Sequence, residues 1–156
     1  MTFLVTGGLG FIGRNLVKNL LEQYPEAYII VLDKMGIGSD PYHFQSSCYG
    51  QVEVAKCDIS RKDELGIFAC SLTSLDCIFY LAAETHVDRS IDNPGAFVES
   101  NVVGTFNMLF AFKNKFKKFI HISTDEVYGS LNPDDPESKE TDPLNPSSIY
   151  SSNHVS

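Results

Sequence analysis

Three glycines near the amino terminus have a spacing that suits phosphate binding. Gly7, Gly10 and Gly13 occur in the segment TGGLGFIG, residues 6–13, which directly follows a short apolar run. Glycine permits a tight turn and, having no Cβ, lets the backbone approach a pyrophosphate closely. A helix that begins at this loop would direct free N–H groups and its positive dipole end towards the same phosphates. The residues predicted to contact a dinucleotide here are Gly7, Gly10, Phe11, Ile12 and Gly13.

Asp33 lies 20 residues after Gly13, at the end of a second apolar run. A dinucleotide fingerprint requires an acid at about this spacing, where it bonds the ribose hydroxyls. A carboxylate at that point repels a 2′-phosphate, so the sequence favours NAD over NADP, although the adjacent Lys34 weakens this preference. Asp58, with Ile59 beside it, is a second candidate for the adenosine half of the ligand. The alternative role for Asp58 is to cap a helix over residues 60–72.

These residues are separated by strand and helix patterns in alternation. Apolar runs predict strands at 2–6, 28–32, 51–55, 76–82 and 118–123. Apolar residues at helical spacing predict helices at 11–24, 61–72 and 94–112, and another that begins near residue 150. Continuous apolar strands separated by helices are typical of a parallel sheet covered on both faces. We therefore expect an α/β fold, a Rossmann-type doubly wound parallel sheet, formed by residues 1–156 as one NAD-binding domain.

The composition fits one folded domain and disfavours several classes of partner. Hydrophobic residues make up 43% of the chain, and the formal net charge is −8 at pH 7. This charge argues against binding to nucleic acid or to an anionic membrane. Four lysines near the end of the third predicted helix are a local exception, which we interpret as a solvated helix end. They are Lys113, Lys115, Lys117 and Lys118.

The cysteines and histidines lack the spacing of a metal site. They are Cys48, Cys57, Cys70, Cys77, His43, His86, His121 and His154. The sequence has no C-x-x-C pair and no signal-peptide pattern, so we expect free thiols in a reducing compartment. The longest apolar segments are too short to span a bilayer. The sequence thus predicts a metal-free, cytoplasmic protein.

Three motifs together resemble the extended short-chain dehydrogenases, and more narrowly the NAD-dependent nucleotide-sugar 4,6-dehydratases. They are the glycine loop, residues 81–91 (LAAETHVDRSI) and residues 123–129 (STDEVYG). The narrower resemblance rests on Thr124, Asp125 and Glu126, because related epimerases and decarboxylases share the loop but usually lack the acidic pair. An epimerase or decarboxylase remains an alternative, and so does a polar loop with only a local structural role.

The resemblance implies a reaction and a role for each residue of the acidic segment. A nucleotide-activated hexose such as dTDP- or UDP-glucose would be oxidised at C4, would lose water across C5 and C6, and would be reduced at C6 with bound NAD. Asp125 would protonate the leaving hydroxyl, Glu126 would remove the C5 proton, and Thr124 would bond the C4 oxygen. An acid and a base are what such an elimination requires.

The same resemblance implies contacts along the cofactor and the sugar. Leu81, Ala82 and Ala83 would pass beneath the cofactor, although ordinary core packing explains them equally well. His86 and Ser90, with Asp88 between them, would shape the sugar side of the site. Residues 101–105 match a helix signature of the family, in which Gly104 would allow close contact with the sheet.

The sequence departs from the family at the helix of residues 147–154. Short-chain dehydrogenases carry Tyr-x-x-x-Lys there, in which the lysine stabilises the tyrosine phenolate and bonds the ribose. Tyr150 is present, but His154 occupies the lysine position. A lysine lowers a neighbouring tyrosine pKa from about 10, whereas a histidine with a pKa near 6.5 is mostly neutral and does so poorly. A non-catalytic NAD-binding remnant is therefore the alternative to an enzyme.

The resemblance also implies that the chain corresponds to the amino-terminal half of such an enzyme, truncated before the last strands and the substrate domain. The fifth predicted strand would then form an apolar sheet edge, from which we expect marginal stability or dependence on a partner. Family members commonly dimerise through the helix over 94–112 and the helix that starts at 147, so a homodimer is expected.

Overall fold

The computed structural model describes residues 1–44, 50–85, 93–132 and 134–155. The strands are β1 (Thr2–Thr6), β2 (Tyr28–Asp33), β3 (Val52–Lys56), β4 (Leu75–Tyr80) and β5 (Phe116–His121). The helices are α1 (Phe11–Gln23), α2 (Lys62–Ser71), α3 (Pro94–Phe97), α4 (Gly104–Ala111) and α5 (Ile149–Val155). A π-helical segment, Val98–Val103, joins α3 to α4, and a 3-10 helix spans Asp125–Tyr128.

The five strands form one parallel sheet in the order β3-β2-β1-β4-β5. The chain moves outward from β1 to β3 and then crosses back to β4, so the order reverses between β1 and β4. In open α/β sheets, ligands bind beyond the carboxyl ends of the strands at such a reversal. This arrangement confirms the predicted doubly wound fold, with β5 at one edge of the described sheet.

Apolar side chains are buried on both faces of the sheet. One apolar cluster joins Leu4 and Ile30 to Leu65 of α2 and Met108 of α4. The opposite cluster joins other residues of β1 and β2 to Val17 and Leu20 of α1, with Phe3, Val5, Ile29 and Val31 among them. Because β1 and β2 contain consecutive apolar residues, Phe3–Val5 and Ile29–Leu32, these strands can be covered on both sides, as parallel strands require.

Most predicted element bounds shift by one or two residues in the structure, and one predicted helix is divided. Strand β4 covers residues 75–80 rather than 76–82, and β5 covers 116–121 rather than 118–123. The predicted helix over 94–112 is interrupted by the π-helical segment Val98–Val103. Directly after this segment, a Cβ on Gly104 would lie 2.8 Å from the side chain of Ile59. The glycine therefore permits a close helix contact, as the sequence suggested.

Candidate functional site

A cavity of about 530 Å³ lies over the carboxyl ends of the central strands. It extends from the glycine loop, across β1 and β4, to helix α5. Predicted cofactor residues that line it are Gly7, Gly10, Phe11, Ile12, Gly13, Asp33, Ile59, Leu81, Ala82, Ala83 and Tyr150. Residues from both ends of the chain therefore meet in one cavity at the position where the fold class binds ligands.

The glycine loop has the geometry of a phosphate cradle. Gly7 adopts a φ of 65°, which glycine tolerates without strain. A Cβ on Gly13 would lie only 2.4 Å from the carbonyl oxygen of Gly7, so the loop and α1 can approach this closely only without a side chain. Gly10 precedes α1, and no side chain caps that helix. The first-turn N–H groups therefore remain available to a ligand phosphate, and the loop fits a dinucleotide.

Asp33 is 6% exposed, and its carboxylate connects the end of β2 to the glycine loop and to the loop after β2. One carboxylate oxygen accepts a hydrogen bond from the backbone N–H of Leu9 at 3.1 Å. The other accepts from the N–H of Met35 at 2.7 Å and from the hydroxyl of Ser39 at 2.9 Å. Asp33 thus organises the loop after β2 around the cavity, a role that the sequence pattern alone did not indicate.

Lys34 is paired rather than free. Its ammonium group forms an ion pair with Glu84, which follows β4 on the other side of β1. Both residues line the cavity. Lys34 was the one feature of the sequence that weakened the preference for NAD over NADP. Because a carboxylate already pairs with its ammonium group, Lys34 is less available to attract a 2′-phosphate.

The structure positions Asp58 away from the cavity lining, while its neighbour Ile59 lines it. The Asp58 carboxylate accepts hydrogen bonds from the N–H of Ser60 at 3.0 Å and from the Ser60 hydroxyl at 2.7 Å. The N-cap residue of α2 is Arg61, without a side-chain cap. Asp58 therefore shapes the turn that precedes α2 and does not cap the helix directly.

The segment after β4 is held by two buried polar side chains that sequence reasoning missed. The hydroxyl oxygen of Thr6 accepts hydrogen bonds from the N–H groups of Leu81 and Ala82, both at 3.1 Å. The amide of Asn101, in the π-helical segment, accepts from the N–H of Glu84 at 2.8 Å and donates to its carbonyl at 3.1 Å. A polar residue within an apolar strand was the only available sequence signal for Thr6.

The acidic segment adjoins the cavity. Ile122 and Ser123 line it, and Thr124 follows directly as the residue preceding the 3-10 helix. The hydroxyl oxygen of Thr124 accepts a hydrogen bond from the N–H of Glu126 at 3.3 Å. The side chains of Asp125 and Glu126 are exposed. Thr124 therefore has a local structural role, while the two carboxylates are accessible to a substrate.

Tyr150 and His154 lie on one face of α5, and both line the cavity. Their ring centroids are 4.7 Å apart in an edge-to-face arrangement. The His154 ring also stacks with His121 of β5 at 6.3 Å, and His121 contacts Tyr80 at 5.1 Å. Burial lowers the pKa of both histidines, and the proximity of His121 lowers the pKa of His154 further. Burial also raises the pKa of Tyr80 to about 12.

Several predictions fall outside this geometry. His86, Asp88 and Ser90 lie outside the described residues. The three cysteines that the structure describes, Cys57, Cys70 and Cys77, are free. Across the described ranges, no three His, Cys, Asp or Glu side chains gather in a possible metal site. Within the same ranges, no helix is both long and apolar enough to cross a membrane.

Comparisons with known proteins agree with this arrangement. The chain is 40% identical over 157 residues to the dTDP-glucose 4,6-dehydratase of Mycobacterium tuberculosis, covering 97% of this chain and 45% of the relative. It superposes with a TM-score of 0.88 and 36% identity on a structure of DesIV, the dTDP-glucose 4,6-dehydratase of Streptomyces venezuelae, which has NAD and TYD bound. That match covers 99% of this chain and 48% of DesIV.

A second kind of neighbour is an epimerase. The UDP-glucose 4-epimerase of Thermus thermophilus, in complex with NAD, superposes with a TM-score of 0.85 and 28% identity, covering 99% of this chain and 48% of its own. The chain spans about half the length of the relatives it matches. The family described as GDP-mannose 4,6 dehydratase matches residues 4–155. This match confirms the resemblance read from the motifs, and the chain belongs to that dehydratase family.

Proposed function

We propose that this chain binds NAD and carries the oxidising and eliminating residues of a nucleotide-sugar 4,6-dehydratase of the dTDP-glucose type. The observation that carries the proposal is the single cavity in which the glycine loop, Asp33 and Tyr150 meet. Ser123 also lines the cavity, and the acidic segment begins at the next residue, Thr124. Family membership and the NAD-bound dehydratase with a similar fold support the same conclusion.

The chain's own residues would hold NAD along the cavity. The glycine loop and the amino terminus of α1 would bind the pyrophosphate, and Asp33 would accept hydrogen bonds from the adenosine ribose. The remaining half would extend over Ala82 and Ala83 towards Tyr150. When bound, NAD would accept the C4 hydride and return it to C6 after water has left, so that the cofactor ends each cycle in its oxidised form.

The remaining steps are proton transfers. Tyr150 would take the C4 hydroxyl proton, while Thr124 would hold the C4 oxygen. Glu126 would remove the C5 proton, which the neighbouring ketone makes acidic, and Asp125 would protonate the C6 hydroxyl as it leaves. The substrate would be a nucleotide-activated hexose, with dTDP- or UDP-glucose as the candidates and with His86 and Ser90 on its sugar side.

The test is to incubate the chain with NAD and dTDP-glucose and to measure the alkali-induced absorbance of a 4-keto sugar. Product is expected, and Glu126→Gln should lower its rate by about 10²- to 10⁴-fold, the usual contribution of a general base. Glu140→Gln, a change at an exposed carboxylate away from the cavity lining, is the matched control. Absence of product despite NAD binding would contradict catalysis and favour the non-catalytic alternative. An epimerised sugar without dehydration would favour the epimerase alternative.

We further propose that the chain forms a homodimer and resides in the cytoplasm. The rings of Phe106 and Phe110 on α4 stack at 6.0 Å, yet they are 62% and 60% exposed. Exposed apolar patches of this kind commonly mark protein interfaces. Phe106→Glu should reduce a dimer to a monomer in light scattering coupled to size-exclusion chromatography, and a wild-type monomer at high concentration would contradict the proposal.

A further inference from the structure

The two halves of the cavity differ in charge. The half near β2 contains Asp33 and the Lys34–Glu84 ion pair. The half near β5 and α5 is lined by Ile122, Ser123, Tyr150 and His154, together with Ser100. Among these described lining residues of the second half, none is a lysine or an arginine. His154 is the only basic side chain there.

The surroundings of His154 favour its neutral form. Its ring packs against Tyr150 at 4.7 Å and against a second imidazole, His121, at 6.3 Å. Neither imidazole forms an ion pair with a carboxylate among the residues that the structure describes. Protonation of either imidazole would place a charge in a partly desolvated site, and protonation of both would add like-charge repulsion. Consistent with this, burial and His121 lower the pKa of His154.

One ring nitrogen of His154, Nε2, is buried and has no hydrogen-bond partner among the described residues. A buried polar atom without a partner is costly unless a ligand or water satisfies it. Since His154 lines the cavity, its ring is positioned to contact a bound ligand.

The topology indicates which part of a dinucleotide would reach His154. The pyrophosphate belongs at the glycine loop and the adenosine at Asp33, on the β2 side of the sheet. A dinucleotide that crosses the reversal between β1 and β4 then directs its second nucleoside towards β5 and α5. For NAD, this second nucleoside carries the nicotinamide, whose ring is positively charged when oxidised and neutral when reduced.

We propose that the uncharged His154–His121 pair lets this half of the cavity hold the oxidised, cationic nicotinamide ring at least as tightly as the reduced, neutral ring, which a lysine at position 154 would not. The inference rests on the proposed binding of NAD and adds to it a property of the nicotinamide half of the site. A fixed cation at this position would repel the oxidised ring, whereas a neutral imidazole pair does not.

The experiment measures dissociation constants for NAD⁺, NADH and ADP by calorimetry at pH 7.5, using the wild-type chain and three variants. His154→Lys adds the missing cation, and His154→Gln keeps the position neutral. Val155→Lys adds the same charge at the next residue, which is exposed and does not line the cavity. ADP lacks the nicotinamide nucleoside and reports whether the adenosine half is intact.

The wild-type chain is expected to bind NAD⁺ at least as tightly as NADH. His154→Lys should weaken NAD⁺ relative to NADH by about tenfold, an effect of a unit charge at short range in a partly buried site. His154→Gln and Val155→Lys should leave this ratio within about twofold, and ADP affinity should be equal in all four proteins.

Three outcomes are separable. If ADP binds normally and His154→Lys leaves the ratio unchanged, the inference is overturned while NAD binding stands. If His154→Lys misfolds and loses ADP affinity, the test depends on the ratio of the NAD⁺ and NADH dissociation constants of the wild-type chain. In that case, NADH binding tenfold tighter than NAD⁺ overturns the inference. If neither dinucleotide nor ADP binds the wild-type chain, the proposed function itself fails.

Discussion

Asp33 and Leu9 are joined by a hydrogen bond of 3.1 Å from the Leu9 N–H to the Asp33 carboxylate. This bond connects the end of β2 to the glycine loop, so the side chain predicted to recognise the ribose also fixes the loop predicted to hold the phosphates. Ligand recognition and local structure therefore depend on the same carboxylate.

Asp33→Ala should destabilise the fold and weaken NAD binding together. The substitution removes the acceptor for two backbone N–H groups, those of Leu9 and Met35, and a buried donor without a partner costs about 1–3 kcal/mol. We expect a loss of about 2 kcal/mol in the free energy of unfolding, measured by urea denaturation. Asp134→Ala is the matched control, since Asp134 is exposed and does not line the cavity, and its change should leave both stability and NAD affinity nearly unaltered.

Gly13→Ala should impair the cavity through a steric clash with backbone. The new Cβ would lie 2.4 Å from the Gly7 carbonyl oxygen and 2.6 Å from the Gly8 Cα, and neither atom can move without distorting the loop. Overpacking of this kind costs about 1–3 kcal/mol, and NAD affinity should fall by at least tenfold. Calorimetric titration with NAD measures the effect.

Gly66→Ala provides the contrast. Gly66 lies within α2, where a Cβ would meet nothing within 4 Å. Because alanine is the better helix former, this change should stabilise the fold by about 0.5–1 kcal/mol and leave NAD binding intact. Equal effects of the two glycine substitutions would contradict the close-approach explanation.

Thr6→Val tests the attachment of the segment after β4. Valine has nearly the same shape but removes the hydroxyl oxygen that accepts hydrogen bonds from Leu81 and Ala82. The free energy of unfolding should fall by about 1–3 kcal/mol in thermal or urea denaturation. Thr6→Ser retains the oxygen and should lose less. A valine variant as stable as the wild type would show that water replaces this contact.

The lowered pKa values of His121 and His154 should make the fold sensitive to acid. The pKa values of His121 and His154 are lower in the folded chain than the value of about 6.5 expected when unfolded, because burial disfavours their charged forms. The unfolded chain therefore binds more protons as the pH falls below about 6.5, and stability decreases in that direction.

The measurement is urea denaturation at several pH values from 8 to 5. Stability should be nearly constant above about pH 7.5, should fall as the pH drops below about 6.5, and should level off once the pH lies below the lowered pKa values of the folded chain. His154→Gln should flatten this dependence, because one titrating group is removed. A wild-type chain whose stability rises between pH 7 and pH 5.5 would contradict the assignment.

The sequence predicted the sheet and the glycine loop because both leave local signals. Apolar runs, the third weaker than the others, identified the five described strands. Gly7 and Gly13 were found from their spacing together with the strand before them and the helix after them. The contacts of Thr6 and Asn101 were not predictable, since they depend on β4 lying beside β1 and on a π-helical turn. The meeting of His121 with His154 likewise depends on how α5 packs near β5, which neither residue indicates locally.

The central claim is that the cavity between the glycine loop and Tyr150 binds NAD. Calorimetric titration of the 156-residue chain with NAD and, separately, with NADP tests it most directly. We predict saturable binding of one NAD per chain, with NADP about tenfold weaker because the Asp33 carboxylate repels a 2′-phosphate. Absence of saturable NAD binding, or equal affinity for NADP, would contradict the account.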